Sequence, residues 1–544
     1  MPRQKPNLFA QAFLLGGFTY ASLWLQPYQY HPDYLLFIWF IWGLTGLLAL
    51  SFIFNLLGTL PNIVRQLISK KTKGLKGTAA WITKTAARKA KLFKRKGYLA
   101  GKLLGEAVWV TIESCGLVLA PAGSGKTRDF VIPALFADRG NMIVADLKGT
   151  LAAITARIRR CKFKQKTFFL NPANRFRKFL GKSARFNPLQ LLNENWTNES
   201  RRMFLMSDAR MLALQLLQEP KDPGQNEFFR KGSRKLLVFA FVYLAVTTSK
   251  ATLSAALNLL SDMNQLTNAL YKSASDDRLN GELIRMANDL LGKIQDGRQE
   301  QLESFREGAL QVLEPYSASG VLADATSSSD FKFSDLRKIK GTVYIICDPT
   351  QMAAFAGWLG LVMESAKTEL IREANGKPVT FMIDEATNFK FASLPALLTS
   401  AREFNMRLWV IVQELEQWAH VYGREALDTL MSQTEVKIIH GSRSFKTCQL
   451  ISNMLGEYSV QQTNYNKGKS IFDPVNRNVS EVGRKLLTPD EVQKFKKAIV
   501  FVRDLPPMAL QRIGYHQIFP WVLWADPNPL FGKGRYWGWP KLWL

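Results

Sequence analysis

"LVLAPAGSGKTRDF", residues 117–130, decides how the rest of the chain is read. Its apolar start predicts a short buried strand, its small and flexible middle a tight turn, and its amphipathic end a helix. Ala120, Pro121, Ala122, Gly123, Ser124, Gly125, Lys126 and Thr127 fit the phosphate-loop pattern, except that Ala120 stands where that pattern has its first glycine. Gly123 and Gly125 let the backbone curl so that successive N–H groups point at phosphate oxygens. Lys126 would then reach the β- and γ-phosphates and contact only these. Thr127 would place its hydroxyl on Mg2+, and the positive end of the helix behind it favours an anion. The implied ligands are ATP and Mg2+.

A triphosphate site also needs carboxylates. In "GKPVTFMIDEATNF", residues 376–389, an apolar strand at 379–383 runs into Asp384 and Glu385. The carboxyl end of a strand is where an open α/β sheet places its ligand chemistry. Asp384 is the candidate for holding the metal's water shell. Glu385 is placed to polarise an attacking water, since phosphoryl transfer demands positioning and charge stabilisation. A surface acidic pair capping a helix would look alike without the phosphate loop.

"MIVAD" (142–146), "VYIIC" (343–347), "RLWVIVQ" (407–413) and "VKIIH" (436–440) add further strands. Near-continuous apolar runs separated by helical stretches predict a parallel sheet covered on both faces. With the two motif strands this makes a RecA-like core of six strands. Gln413 ends a strand expected beside the Asp384 strand, where it could sense the γ-phosphate. From 195 to 319 the apolar residues recur at helical spacing with few strand formers, which predicts an inserted all-helical domain. Its run "LLVFAFVYLAV" is short and flanked by Lys and Arg, so a buried core helix is expected there and not a membrane span.

Charge and hydropathy describe a different environment at the start. Residues 8–25 and 34–57 carry no charge over 18 and 24 positions, near the ~20 residues that cross a bilayer core. A cleaved signal peptide would resemble the first run, but a second apolar run follows at once. The connector "QPYQYHPDY" holds no Lys or Arg, whereas residues 65–102 hold thirteen and no Asp or Glu. The positive-inside rule then puts the connector outside and everything after residue 58 in the cytoplasm. The basic stretch suits anionic membrane lipid, with a DNA contact as the alternative. A net charge of +28, from 72 Lys and Arg against 44 Asp and Glu, predicts a polyanionic partner. Four widely separated cysteines suggest neither a zinc site nor a disulfide framework.

The order of parts resembles a known family. Two N-terminal spans, "KGTAAW" (76–81), the phosphate loop, "VADLKGTL" (144–151), "RFNPL" (185–189), the helical insertion, "SDFKFSDL" (329–336), "MIDEATNF", "AREFNMRLWVIVQ" (401–413) and "LLTPDEV" (486–492) resemble the type IV coupling proteins. These are the VirD/TraG-like membrane ATPases of bacterial conjugation and type IV secretion. The resemblance implies an α/β fold: a RecA-like parallel-sheet P-loop ATPase domain with an inserted all-α domain and an N-terminal two-helix transmembrane anchor. It implies a homo-hexameric, DNA-stimulated motor at the bacterial inner membrane, which docks DNA, relaxase or effector protein substrates to type IV secretion channel components. It assigns Lys126 and Thr127 to nucleotide and Mg2+, Asp384 and Glu385 to Walker B chemistry, and Gln413 to the sensor strand. Arg402 matches a family arginine that acts on a neighbouring subunit's site. Leu147 and Thr150 stand where the family more often shows a proline and a glutamate, so no role is implied for Asp146 and Lys148.

The expected organisation is an anchor at 1–60 with an external loop at about 26–33, and a basic juxtamembrane segment at 61–105. The RecA-like domain is expected at 106–194 and 320–515, the insertion at 195–319, and an aromatic and basic tail at 516–544. Such a tail could dock on a protein groove or the membrane interface, or pack on the core. Two other functions share these motifs: a chromosome-segregation DNA motor, and a membrane receptor whose nucleotide site only regulates assembly.

Overall fold

The computed structural model describes residues 8–28, 33, 35–68, 77–218, 227–466, 476–531 and 541–544. The chain forms two compact units, one comprising Met1–Thr78 with Tyr458–Arg484, the other Ala79–Glu457 with Lys485–Leu544.

In the first unit, helices α1 (Leu8–Leu25) and α2 (Leu35–Ile68) pack together. The Ser22 and Thr45 hydroxyls meet at 3.0 Å between them. Phe13, Leu36, Trp39 and Phe40 stand exposed, an apolar surface of the kind that faces lipid. Leu35–Ile53 is long and apolar enough to cross a membrane, whereas the corresponding part of α1, Phe13–Leu25, is shorter. The expected external loop lies partly outside the described residues. A hairpin of Glu457–Asn466 and Asn476–Lys485 supplies most of the remainder of this unit.

In the second unit a short helix, Lys84–Lys89, precedes a hairpin of β1 (Tyr98–Leu103) and β2 (Glu106–Val110). There follow β3 (Cys115–Leu119), β4 (Asn141–Asp146), β5 (Lys166–Leu170), β6 (Gly341–Ile346), β7 (Val379–Ile383), β8 (Met406–Val412) and β9 (Val436–Ile439). The hairpin strands of the first unit are β10 and β11, after which come β12 (Ala498–Val502) and β13 (Met508–Leu510). The main sheet has nine strands in the order β13-β12-β9-β3-β8-β7-β4-β6-β5. From β9 to β5 every pairing is parallel, while β12 runs antiparallel to both β9 and β13. The sheet is therefore mixed and larger than the six parallel strands expected. β5 begins "KT" and β13 spans only three residues, so neither carries the long apolar run that marks a central strand.

Alternate residues of the central strands feed two cores, as the two-residue period of a strand requires. Leu117 and Leu119 join one side with Leu408 and Val410; Val118 joins the other with Trp409 and Ile411. The first side carries the helices between β5 and β6. Among them, Glu227–Thr248 buries Leu236–Val242, so this apolar run is core. The Arg372 guanidinium grips buried Asp208 with two 2.7 Å bonds and ties these helices to Met352–Arg372 beside the sheet.

The second side carries Ile132–Ala137 and Thr150–Cys161. Of the three placements open to the C-terminal segment, its described start takes the one on the core. Trp521 and Trp524 are buried against Phe136, and Asp526 N donates to Ile154 O at 3.0 Å. The expected boundary at 105 falls inside the β1–β2 hairpin. Ile82, Ala87, Leu92 and Leu99 are buried in this body; the dense Lys and Arg around them masked that core in the sequence.

β3 and β8 approach closely where Gly116 faces Trp409. A Cβ on Gly116 would run into the Trp409 ring. Gly116→Val should therefore destabilise the chain by about 1–3 kcal/mol through overpacking, read as a lower Tm of the detergent-solubilised protein. An unchanged Tm would contradict this close approach.

A candidate nucleotide site at the carboxyl edge of the sheet

Strand β3 ends at Leu119, opposite Val412 of β8 and Ile439 of β9. Ala120 N still donates to Val412 O at 3.0 Å. Position 120 thus extends the ladder, is fully buried and needs no glycine, which accounts for the alanine. The chain then curls through Gly123 (φ +77°) and Gly125 (φ +87°), both in the left-handed region. Arg512 Nη1 pins this curl by donating to Ser124 O at 2.6 Å. Ser124 Oγ is buried and has no hydrogen-bond partner among the described residues. Thr127–Val131 forms a wide π-type turn leading into Ile132–Ala137. A cavity of 660 Å³ opens beside it, lined by Thr127, Arg128, Lys148 and Tyr515 among others.

The facing group comes from β7, which lies one strand beyond β8. Glu385 leaves the strand end with φ +57°, a strained value for a non-glycine residue. This turn brings both carboxylates to Lys126. Lys126 Nζ lies 3.1 Å from Asp384 Oδ1 and 3.4 Å from Glu385 Oε1. Lys148 Nζ lies 3.3 Å from the same Glu385 oxygen, and Asn388 Nδ2 donates to Oε2 at 2.7 Å. Lys126 is only 8% exposed and Glu385 7%. Burial holds the Asp384 carboxyl above the usual aspartate range even with Lys126 beside it. Burial also pushes Glu385 up, but Lys126 and Lys148 outweigh it and hold that carboxyl below its ordinary value.

The expectation that Lys126 contacts only phosphates is therefore corrected. A buried ammonium must be paired, and here the two carboxylates pair it. The residues fit Mg2+ and a triphosphate: a curled glycine loop, a threonine hydroxyl, and a largely buried carboxylate whose Oδ1 is held by the Lys126 ammonium, a cation that a metal ion can replace. Oxygen donors of this kind suit a hard divalent cation.

Gln413 follows β8 directly, in the strand between β3 and β7, and so stands at the same edge. Arg402 does not. It precedes Met406, which pairs with Val379 at the start of β7, and β8 alone spans about 20 Å. Within one chain Arg402 sits at the opposite edge, ion-paired with Glu113 at 2.7 Å, both side chains about two-thirds exposed. Three contacts escaped the sequence reading. Arg512 is far along the chain with no motif around it. Asn388 stands three residues after Glu385, a spacing that matters only because Asn388 N closes a turn on Glu385 O. Lys148 stands in "DLKGTL", a segment to which neither its spacing nor the family resemblance assigns a role.

With this geometry in view, the sequence profile described as "Type IV secretory system Conjugative DNA transfer" matches residues 64–525. The chain belongs to this family. It is 26% identical over 468 residues to Protein VirD4 of Rhizobium radiobacter, covering 83% of this chain and 65% of that protein. It is 24% identical over 433 residues to Conjugal transfer protein TraG of Escherichia coli, covering 74% and 66%. The chain thus spans about two thirds of the length of these relatives. Among solved structures, the bacterial conjugative coupling protein TrwBdeltaN70 has the same fold, with a TM-score of 0.60 at 17% identity, over 81% of this chain and 93% of that one.

Removing the Lys126 ammonium strands a buried carboxylate, a loss of about 1–3 kcal/mol. Lys126→Ala should lower the Tm of the nucleotide-free protein, and Asp384→Asn in the same chain should recover part of it. Equal Tm values for Lys126→Ala and wild type would contradict the pairing.

Proposed function

We propose that this chain is an inner-membrane ATPase that couples DNA, relaxase or effector protein substrates to a type IV secretion channel and energises their transfer. The observation that carries the ATPase reading is the Lys126 ammonium, aimed from a curled glycine loop at Asp384 and Glu385. Family membership supports the transport role, and α2 supports the membrane anchor. TrwB, which shares the fold, is known in complex with ADP and Mg2+ and with non-hydrolysable ATP and GTP analogues.

The division of labour follows from the placement of the side chains. The glycine loop presents backbone N–H groups to the phosphates, and Lys126 transfers its charge to them from the carboxylates. Mg2+, when bound, neutralises phosphate charge, with Thr127 and Asp384 as its holders. Glu385 orients and polarises the attacking water, and Gln413 reports on the γ-phosphate from the next strand. Arg402 stands at the far edge of its own sheet, so it reaches a phosphate only from a neighbouring subunit of a hexameric ring. Non-sequence-specific binding of single- or double-stranded DNA accords with the charge of +28. The expected domain boundaries carry over with two changes: the body begins near Ala79, and the final segment docks through Trp521 and Trp524.

The test is ATP hydrolysis by the full chain in nanodiscs, with and without single-stranded DNA. DNA should stimulate turnover and Lys126→Ala should abolish it. Arg402→Ala should bind ATP normally yet turn over about 10³-fold more slowly, as arginine fingers do. Mixed with Glu385→Gln subunits it should regain part of the activity, because some interfaces then join an intact Glu385 to an intact Arg402. Unstimulated turnover would favour the receptor reading, and mixtures without recovery would exclude the trans arginine.

A further inference from the structure

Lys148 sits in a loop whose backbone is fixed from several sides. Gly149 N donates to Asp146 O at 3.0 Å, and Asp146 Oδ2 accepts from Ala152 N at 2.7 Å. Leu147 is buried, and Gly149 holds φ +76° against Ile346 and Phe176. From this rigid base the half-exposed Lys148 side chain crosses to Glu385 Oε1 at 3.3 Å. Lys126 occupies the same oxygen at 3.4 Å. One carboxylate oxygen therefore faces two cations, one from the phosphate loop and one from the β4 edge.

That redundancy has a use. The three N–H donors of Lys126 are already shared between two carboxylates, so phosphates that draw this ammonium toward them weaken its hold on Glu385. When it turns to the phosphates, Glu385 loses one of its two cations on Oε1 and keeps the other. Asn388 meanwhile retains Oε2 at 2.7 Å. Without Lys148 the carboxylate would keep only the Asn388 contact and could rotate about its own side-chain torsions at the moment it must align a water.

We propose that Lys148 is a positioning residue that holds Glu385 Oε1 after Lys126 has moved to the phosphates, so that with Asn388 the carboxylate keeps one orientation through turnover. This rests on the nucleotide reading above. The contact is partly exposed, so it adds little to stability. Its value lies in alignment, where small displacements of a reacting group cost up to about 10²-fold in rate.

The experiment compares wild type, Lys148→Met and Lys148→Arg in the full nanodisc-embedded chain. It measures kcat and KM for ATP, the Kd of a fluorescent ADP analogue, and Tm. Lys148→Met should lower kcat about 10- to 100-fold, with KM and Kd within about twofold and Tm unchanged. Lys148→Arg should restore part of kcat, since a cation again reaches Oε1. In a Glu385→Gln background Lys148→Met should add no further loss, because the two then act on one step. An unchanged kcat in Lys148→Met, with wild type active, overturns this role alone. A Kd that rises in step with the loss of kcat also overturns it, placing Lys148 on the phosphates themselves. A wild type that neither binds nor hydrolyses ATP overturns both this role and the nucleotide reading.

Discussion

The ammonium of Lys126, held between Asp384 and Glu385, is the interaction on which the proposed chemistry depends. Each of the three groups is expensive to bury alone. Together they are tolerable, and they leave a cation that an incoming triphosphate can take over. The pair of carboxylates released by that exchange is what a metal ion and an attacking water require. In the proposed function, the resting contact is an inhibited arrangement of the groups that would act on ATP.

Everything that brings these groups together is set by strand register. β3 delivers the loop, β7 delivers the acids, and β8 between them fixes their separation through Leu119↔Val412 and Ile383↔Val410. The close passage of Gly116 under Trp409 and the two cores on either face keep that register from slipping. A one-residue slip would turn every central side chain to the wrong core. The helices between β5 and β6 attach to the same region: Gln215 Nε2 donates to Lys390 O at 2.7 Å, just beyond the Asp384–Asn388 turn. The C-terminal segment closes the opposite face and brings Tyr515 beside the phosphate loop, with Arg512 pinning the loop itself.

Much of this was legible in the amino-acid order, for identifiable reasons. The phosphate loop and the acidic strand end are local, and their spacing encodes chemistry directly. The parallel centre of the sheet showed itself because strands buried on both faces leave unbroken apolar runs. The short edge strand β13 and the charged start of β5 lack such runs and stayed hidden, as did the core beneath the basic stretch before β1; β12 does carry the apolar run AIVFV, but it runs antiparallel outside the parallel centre and was passed over. Arg402 was recognisable as a family position, but only the fold shows that it lies at the far edge of its own sheet. Lys148, Asn388 and Arg512 became partners through loop geometry, above all the left-handed backbone at Glu385, which no spacing rule reveals.

The most direct measurement is an experimental structure of the full chain with Mg2+ and a non-hydrolysable ATP analogue. Lys126 Nζ should leave Asp384 for the phosphates, the metal should lie between Thr127 and Asp384, and Glu385 should remain on Lys148 and Asn388. An analogue bound away from the Gly123–Thr127 loop, with Lys126 still paired to Asp384, would contradict the account.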